Sequence, residues 1–235
     1  TVRKCVQVGI SEYLFVRTFH SAGNLGLGVL YMLPTLDLRN RVVKARVNPA
    51  IQKSPYYKHI QRNATVDAMS RAKVADATEV KLFGKAPIYF VGSNSPSGVV
   101  ECAVDLVIID EVDKCDQERV AMAFDRYSAS THKLSCKVGN PSFPDRGISA
   151  AFDVSDQRHW LIRCGGCNKW QMLDFFRHVM REVDTRKYEV RDREWKAGIG
   201  RDVALPCVKC DKPLDRSDVD GGWQSTRIGR WPGSR

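Results

Sequence analysis

The sequence predicts an α/β fold with a mainly parallel sheet flanked by helices, followed by a small cysteine-rich region. Over residues 1–157, short apolar runs alternate with helical stretches. Strands separated by helices are typical of right-handed crossover connections in an open sheet. From residue 158 to residue 235 the composition shifts toward Arg, Lys, Asp, Trp and Gly, with few long apolar runs. We therefore predict two domains, 1–157 and 158–235.

Four segments are the predicted strands of the first domain. Residues 27–35 are a short apolar run that ends in a Pro-marked turn, and residues 86–92 and 104–111 are runs of the kind that parallel sheets bury on both faces. Residues 133–141 are a further predicted strand that ends in a loop. Two helices are also predicted. One follows Gly9 with the sequence ISEYLFVRTF, and the other follows Asp116, a suitable N-cap, with the sequence QERVAMAFDRY.

The composition excludes several classes of protein. With 235 residues, of which 43% are hydrophobic and 27% charged, the chain can bury a core and is not disordered as a whole. No apolar run approaches the ~18 residues that span a bilayer, so no membrane span is expected. The 37 Lys and Arg residues against 27 acidic ones give a net charge of +10. This charge favours a polyanionic partner, nucleic acid first and an anionic membrane second, and of these two we expect nucleic acid and no membrane.

The start of the chain and the cysteines bear on cellular location. No charged leader with an apolar stretch and a cleavage site precedes the first domain, so secretion is not expected. Of the eight cysteines, four are scattered and four form two CxxC pairs. This distribution is typical of a reducing compartment and a metal site. We expect a cytosolic protein.

Two adjacent acids end one of the predicted strands. In LVIIDEVDKC, residues 106–115, four apolar residues lead directly into Asp110 and Glu111. Ligands of open α/β sheets bind at the carboxyl ends of the strands. Phosphoryl transfer needs one carboxylate near Mg²⁺ and another that acts on the attacking water, so we assign Asp110 to the metal and Glu111 to the water. The alternative is a strand that ends in an exposed acidic turn.

A deviant phosphate loop is predicted near the start of the chain. KCVQVGIS, residues 4–11, has Gly9 and Ser11 at the places that glycine and the hydroxyl hold in GxxxxGK[ST], whereas the lysine has moved to Lys4. Both ends of a loop folded around phosphates lie close to the ligand, so an ammonium group can reach the phosphate oxygens from either end. Backbone N–H groups near Gly9 and the following helix would complete an anion site. The alternative is an ordinary strand–turn–helix.

These motifs together resemble the ATPase region of the tailed-phage terminase large subunit, in its lambda-type branch. The resemblance rests on five segments in the expected order: KCVQVGIS, VLYMLPT, NPAIQKSP, GSNSPSG and SDQRHWLIRCGGC. It covers nearly all of the chain. It implies a P-loop NTPase fold of the RecA/ASCE type, for which the chain lacks the N-terminal part, and then a zinc-binding region and linker toward a nuclease domain outside this segment.

The resemblance also implies roles for particular residues. Lys4, Gln7, Gly9 and Ser11 would bind the nucleotide, Ser11 and Asp110 would hold Mg²⁺, and Glu111 would be the catalytic carboxylate. A coupling loop would comprise Gly139, Asn140 and Pro141. Because this loop lacks the usual opening hydroxyls, the amide of Asn140 is the expected γ-phosphate sensor.

The function that the resemblance implies is an ATP-hydrolysing motor that moves double-stranded DNA into a procapsid, in the cytoplasm of the host cell. Its partners would be double-stranded DNA, further copies of the chain in a ring, the portal protein and the terminase small subunit. Nuclease activity is not expected from this segment. Two alternatives stay open: a superfamily-2 helicase-like ATPase fragment, and a zinc-ribbon DNA-binding module on an inactive scaffold.

A structural zinc site is predicted in the second domain. Cys164 and Cys167 form one CxxC pair and Cys207 and Cys210 the other, with 39 residues between the pairs. Two such turns can supply the four thiolates of a tetrahedral zinc ion, with no coordination position left for catalysis. The separation is longer than usual, so the intervening segment must loop out. The alternative is reduced cysteines that never meet.

For several other residues, a functional and a purely structural interpretation are both open. Residues 177–201 mix basic and acidic side chains, and tryptophans lie among basic positions, so this half either contacts the DNA backbone or forms a solvated surface. An arginine could act on a neighbouring subunit's nucleotide, although a solvated helix face is the simpler reading; the candidates are Arg39, Arg41 and Arg46. The histidines lack metal spacing and are expected at the surface or in packing; they are His20, His59, His132, His159 and His178.

Overall fold

The computed structural model describes residues 1–4, 9–67, 78–95, 102–174, 178–185, 187–190, 205–214 and 222–225. The chain divides into two compact units, Thr1–Ser155 and Asp156–Arg235. Among the helices in the described ranges, none is both long enough and apolar enough to cross a membrane.

A six-stranded sheet organises the first unit. Its strands are β1 (Val2–Arg3), β2 (Val29–Leu33), β3 (Val80–Phe83), β4 (Ala86–Gly92), β5 (Leu106–Asp110) and β6 (Leu134–Gly139). The spatial order is β1-β6-β5-β2-β4-β3. All neighbouring pairs are parallel except β3 and β4, which are joined by a short turn. The prediction of a mainly parallel sheet is confirmed.

Helices flank this sheet and follow its strands in the chain. They are α1 (Ile10–Gly23), α2 (Leu36–Val42), α3 (Asn48–Lys53), α4 (Pro55–Asp67), α5 (Gln117–Asp125) and α6 (Gly147–Asp153), with a π-helical turn at Val43–Val47. The carboxylate of Asp116 accepts hydrogen bonds from the N–H groups of Glu118 and Arg119. Asp116 is therefore the N-cap of α5, as the sequence predicts.

The core explains why β2 is apolar along its whole length. Alternate residues of β2 contribute to two hydrophobic clusters, with Tyr31 in one and Met32 in the other. The first cluster includes Phe15 and Phe19 of α1, and the second includes Val120 of α5. The sheet is thus covered on both faces, and burial of each large apolar side chain contributes about 1.5–3 kcal/mol.

Short strands make up the described part of the second unit. The strands are β7 (Arg158–Arg163), β8 (Trp170–Met172), β9 (Met180–Asp184), β10 (Lys187–Val190), β11 (Leu205–Pro206), β12 (Pro213–Leu214) and β13 (Gly222–Ser225). One three-stranded antiparallel sheet has the order β13-β7-β8, and two antiparallel pairs join β9 with β10 and β11 with β12. Its buried cluster consists of two cysteines and two leucines, namely Cys164, Cys207, Leu205 and Leu214. Among the described residues this cluster is small, and small cores are commonly stabilised by a further interaction such as a metal ion.

Candidate nucleotide site and candidate metal centre

The first predicted site begins with an ion pair across the sheet edge. Lys4 follows β1 and Glu111 follows β5, and β6 lies between these two strands. The backbone N–H of Lys4 donates to the carbonyl oxygen of Gly139 at 3.0 Å, which fixes the end of β1 beside β6. Lys4 Nζ then donates to Glu111 Oε1 at 2.8 Å. The side chains of Lys4 and Glu111 are only 8% and 22% exposed.

Glu111 has an unusual backbone conformation, and its carboxylate lies between the ammonium groups of two lysines. Its φ of 57° is left-handed, a conformation that costs a non-glycine residue on the order of 1–3 kcal/mol. It caps a 3₁₀ turn, Val112–Lys114, from which Lys114 Nζ lies 3.3 Å from Glu111 Oε2. Burial acts to raise the pKa of Glu111, but hydrogen bonds and charge from Lys4 and Lys114 outweigh it and hold the pKa below its ordinary value. The carboxylate is therefore charged at neutral pH.

Asp110 is almost fully buried, and only one of its two carboxylate oxygens has a hydrogen-bond partner among the described residues. Its Oδ2 accepts a 2.9 Å hydrogen bond from the hydroxyl of Tyr31 on the neighbouring strand β2. Its Oδ1 is buried and has no hydrogen-bond partner among the described residues. Buried carboxylate oxygens without a partner are rare in proteins, and a hard divalent cation with its water molecules binds such oxygens. Asp110 therefore fits the predicted magnesium role.

Tyr31 is a site residue that the sequence analysis missed. Burial, and next the charge and hydrogen bond of Asp110, raise the pKa of Tyr31 well above its ordinary value, so the phenol stays a donor. A hydroxyl in the middle of the apolar run VLYML needs a buried hydrogen-bond partner. This requirement could have identified Tyr31 from the sequence.

The phosphate-loop residues are described only in part. Gly9 has a φ of 76° and is the N-cap of α1, a left-handed conformation that favours glycine. Ser11 lies in the first turn of α1 and is partly buried. Across the described residues, no hydrogen bond joins Ser11 to Asp110 or Glu111. Gln7 lies outside the described residues, so its predicted role and the loop between Lys4 and Gly9 stay predictions.

The predicted coupling loop follows β6 directly. Gly139 is the last residue of β6, beside the N–H of Lys4. The side-chain oxygen of Asn140 is buried without a hydrogen-bond partner in the described part of the chain. Pro141 is exposed. The loop thus begins against the residue that is predicted to bind phosphate.

The three candidate arginines differ in their surroundings. Arg39 is buried and donates to the carbonyl oxygen of Phe90 at 3.3 Å. The guanidinium of Arg46 bonds Glu12, with Nε 2.9 Å from Oε1, and lies over the ring of Phe15. Arg41 is exposed in the last turn of α2. Arg41 therefore has the side chain that a partner can most easily reach.

The four paired cysteines meet in the second unit. Cys164 Sγ lies 3.6 Å from Cys210 Sγ, and Cys167 Sγ lies 3.7 Å from Cys207 Sγ. All four sulfurs lie within 4.8 Å of one another. In a tetrahedral site with Zn–S bonds of about 2.3 Å, the sulfurs are about 3.8 Å apart. The cluster therefore fits a zinc ion with four thiolate ligands, and the reading in which the cysteines never meet is wrong.

The two CxxC turns repeat the same local structure. In each, the carbonyl oxygen of the first cysteine accepts from the residue after the second cysteine, Asn168 or Asp211, at 2.8 and 3.0 Å. These two residues have φ values of 58° and 60°. The sequences CGGCNK and CVKCDK share this pattern, in which the second cysteine is followed by Asn or Asp and then by Lys. Asn and Asp tolerate this conformation better than most residues.

A hydrogen-bonded pair supports the second of these turns. Gln171 Nε2 donates to Cys207 Sγ at 3.2 Å, and Gln171 Oε1 accepts from the N–H of Val208 at 3.0 Å. His178 Nε2 lies 3.2 Å from the same oxygen, while its Nδ1 lies 2.9 Å from the N–H of Asp174. His178 is thus a buried network residue next to the cysteines, and Gln171 was not singled out from the sequence.

The predicted DNA-contacting segment is described only in part. The described residues 178–185 and 187–190 include β9 and β10. Lys187 Nζ lies 3.6 Å from Asp184 Oδ2 and forms an ion pair with it. Arg177, Arg186 and residues 191–201, including Trp195, lie outside the described residues, as do Trp231 and the side chain of Trp223. Trp170 is 40% exposed. The two readings of this segment both stay open.

The model of a family described as phage terminase large subunit gpA, ATPase domain, matches residues 1–231. No curated protein and no solved structure matches the chain.

Proposed function

The chain belongs to the family of the phage terminase large subunit gpA ATPase domain, and from this premise we propose that it is the motor that moves double-stranded DNA into a procapsid. At the level of the family, it is an ATPase domain of phage DNA packaging. The observation that supports this proposal most strongly is the ion pair between Lys4 and Glu111, the residue after Asp110, at the carboxyl ends of β1 and β5.

Glu111 is the proposed catalytic carboxylate. Its lowered pKa keeps it charged, so it can orient a water molecule and accept its proton. As the water oxygen bonds to the γ-phosphorus, the bond from phosphorus to the β–γ bridging oxygen breaks, and ADP leaves with that electron pair. The left-handed backbone at Glu111 supports this role, since strain of this kind clusters at functional sites.

Asp110 and Ser11 are the proposed magnesium ligands. When bound, the ion neutralises charge on the phosphate oxygens. The Tyr31 hydroxyl holds one oxygen of Asp110 and leaves Oδ1 without a partner among the described residues. A carboxylate with one oxygen fixed and the other available is oriented for a ligand before the ligand arrives.

Lys4 has two anionic partners in the proposed cycle. Without nucleotide it neutralises Glu111 at 2.8 Å. The phosphates of ATP carry more negative charge than one carboxylate, so we propose that the ammonium group moves to them, together with Gln7 and Gly9. Lys114 then stays beside Glu111 Oε2, and Oε1 becomes available to the attacking water.

The coupling loop is proposed to sense the γ-phosphate. No group of the described residues donates to the side-chain oxygen of Asn140, and the NH₂ group of the same carboxamide is the proposed donor to the γ-phosphate. Gly139 and Pro141 flank Asn140, and Gly139 already bonds Lys4 through the backbone. Loss of the γ-phosphate would therefore remove a contact of Lys4 and a contact of Asn140 at the same time.

The remaining proposals concern assembly. We propose that several copies form a ring around double-stranded DNA, with the portal protein and the terminase small subunit as partners, in the cytoplasm of the host cell. The net charge of +10 supports DNA contact that is independent of sequence and sensitive to salt. Zinc held by the four cysteines would stabilise residues 158–235, where the described core is small.

Steady-state ATP hydrolysis with Mg²⁺ and DNA tests the enzymatic proposal. Glu111→Gln should lower kcat by at least about 100-fold, since general-base catalysis contributes typically 10²–10⁴-fold, while nucleotide binding is retained. Glu118→Gln, an exposed acid at the start of α5, is the matched control and should be unaffected. Equal rates for the native chain and Glu111→Gln would remove the catalytic assignment. No nucleotide binding at all would favour a zinc-bearing DNA-binding scaffold instead.

A further inference from the structure

Asp113 joins the turn after Glu111 to two separate parts of the chain. Its Oδ1 accepts from the backbone N–H of Ser142 at 3.3 Å, in the loop after β6. Its Oδ2 accepts from the N–H of Ile148 at 3.0 Å, in the first turn of α6. One carboxylate therefore holds both ends of the segment 142–148. Hydrogen bonds to an ionised acceptor are about twice as strong as neutral ones.

The surrounding backbone leaves room for this carboxylate and for little else. A Cβ atom at Gly139 would lie 2.9 Å from Asp113 Oδ2, and one at Gly147 would lie 2.6 Å from Asp113 Oδ1. Gly147 also has a φ of 51°, which favours glycine. The Asp113 carboxylate is therefore closely surrounded by two glycines and two backbone N–H groups. A shift of Asp113 must displace the backbone around it.

The turn that carries Asp113 is short and closed. Glu111 caps the turn Val112–Lys114, and the N–H of Lys114 donates to the carbonyl oxygen of Glu111 at 2.8 Å. Only Val112 separates Glu111 from Asp113 in the chain, and Val112 is buried. A change of backbone at Glu111 is therefore passed to Asp113 over two residues of a packed turn.

We propose that Asp113 is a positioning residue that transmits the nucleotide state of the Lys4–Glu111 site to the segment 139–148. When Glu111 exchanges Lys4 for water, its turn shifts, and the bonds from Asp113 carry the shift to Ser142 and Ile148. This inference rests on the proposed ATPase function. A residue that only caps α6 would stabilise the fold equally well in every nucleotide state.

Hydrogen exchange separates these two roles. In the native chain, binding of Mg²⁺ with a non-hydrolysable ATP analogue should change exchange at the amides of Ser142 and Ile148 together. In Asp113→Asn, one backbone N–H faces the new NH₂ group instead of an oxygen, so that bond is lost. The nucleotide-dependent change should then disappear, and kcat should fall by about tenfold, while the Kd for the analogue stays within twofold of native.

Asp116→Asn is the matched control. Asp116 also caps a helix, but both of its bonds go to one oxygen, which asparagine retains. This variant should keep the native kcat and the native change in exchange at Ser142 and Ile148.

Two outcomes would overturn the inference. The first is a native chain that hydrolyses ATP with no nucleotide-dependent change at Ser142 and Ile148, which needs no variant. The second is an Asp113→Asn chain with native kcat and a native nucleotide-dependent change in exchange, whether or not its thermal stability falls. A native chain that neither binds nor hydrolyses ATP would instead overturn the proposed function itself.

Discussion

Lys4 Nζ and Glu111 Oε1 lie 2.8 Å apart although 107 positions separate them in the sequence. The ion pair bridges the end of β1 and the end of β5, over the strand β6 that lies between them. It places the cation that is proposed to bind phosphate against the carboxylate that is proposed to act on water. Four predictions follow from this arrangement and from the supporting contacts around both sites.

The Lys4–Glu111 pair should make the stability of the fold depend on pH in the acidic range. Because the folded-state pKa of Glu111 is lowered, the pair stabilises the fold above the unfolded pKa of about 4.3. This contribution is lost as the pH falls through the folded-state pKa. Lys4→Met should therefore destabilise the chain at pH 7 and much less near pH 3, measured by urea unfolding. A destabilisation that is the same at both values would contradict the ion pair.

The Tyr31 hydroxyl should matter more than that of an exposed tyrosine. Tyr31→Phe leaves Asp110 Oδ2 buried without its donor, which costs about 1–3 kcal/mol of unfolding free energy. Tyr13→Phe is the matched control, because Tyr13 is 55% exposed. Thermal or denaturant unfolding measures both. If the two variants were equally stable, the buried bond to Asp110 would not exist as described.

The Tyr31 hydroxyl should also strengthen the binding of Mg²⁺ with ATP, because it orients Asp110. In the native chain, one oxygen of Asp110 is held and the other is without a partner in the described part of the structure. In the variant, both oxygens lack a donor and the carboxylate is less well oriented. We expect Mg²⁺ with ATP to bind more weakly by about 10-fold, in the range seen for residues that orient metal ligands. Calorimetric titration of native and variant chains would detect this change, and equal affinities would contradict it.

Gln171 should control how firmly zinc is held. Its amide donates to Cys207 Sγ, while its oxygen accepts from Val208 and lies beside His178 Nε2. Gln171→Leu should lower zinc affinity about 10–100-fold, measured by competition with a chromophoric chelator. Gln52→Leu, at an exposed position of α3, is the control. An unchanged zinc affinity in Gln171→Leu would remove its role as a support of the cysteine site.

The strands and the acidic pair could be predicted because their signals are local. Residues 86–92 and 106–110 are apolar runs long enough to identify, and Asp110 and Glu111 mark the place where a buried strand ends. The approach of Lys4 to Glu111 has no local signal. It depends on strand order, and β1 is only two residues long, too short for any periodicity.

The polar contacts of buried side chains were the least predictable feature. The bond from Tyr31 to Asp110 depends on the pairing of β2 with β5, and the role of Asp113 depends on where Gly139 and Gly147 come to lie. His178 has no metal-ligand spacing, so its place in the network next to Cys207 follows from folding and not from sequence. Each of these contacts depends on long-range pairing of segments, for which a single sequence has no local signal.

The central claim is that Lys4 and Glu111 form an ATP site, and Mg-ATP binding to the native chain and to Lys4→Ala tests it most directly. A ligand at 100 times its Kd stabilises the folded state by about 2.7 kcal/mol, which thermal unfolding detects and calorimetry quantifies. We expect this stabilisation for the native chain and its loss in Lys4→Ala. Equal stabilisation of both chains would contradict Lys4 as a phosphate ligand, and no stabilisation of the native chain would contradict the ATP site itself.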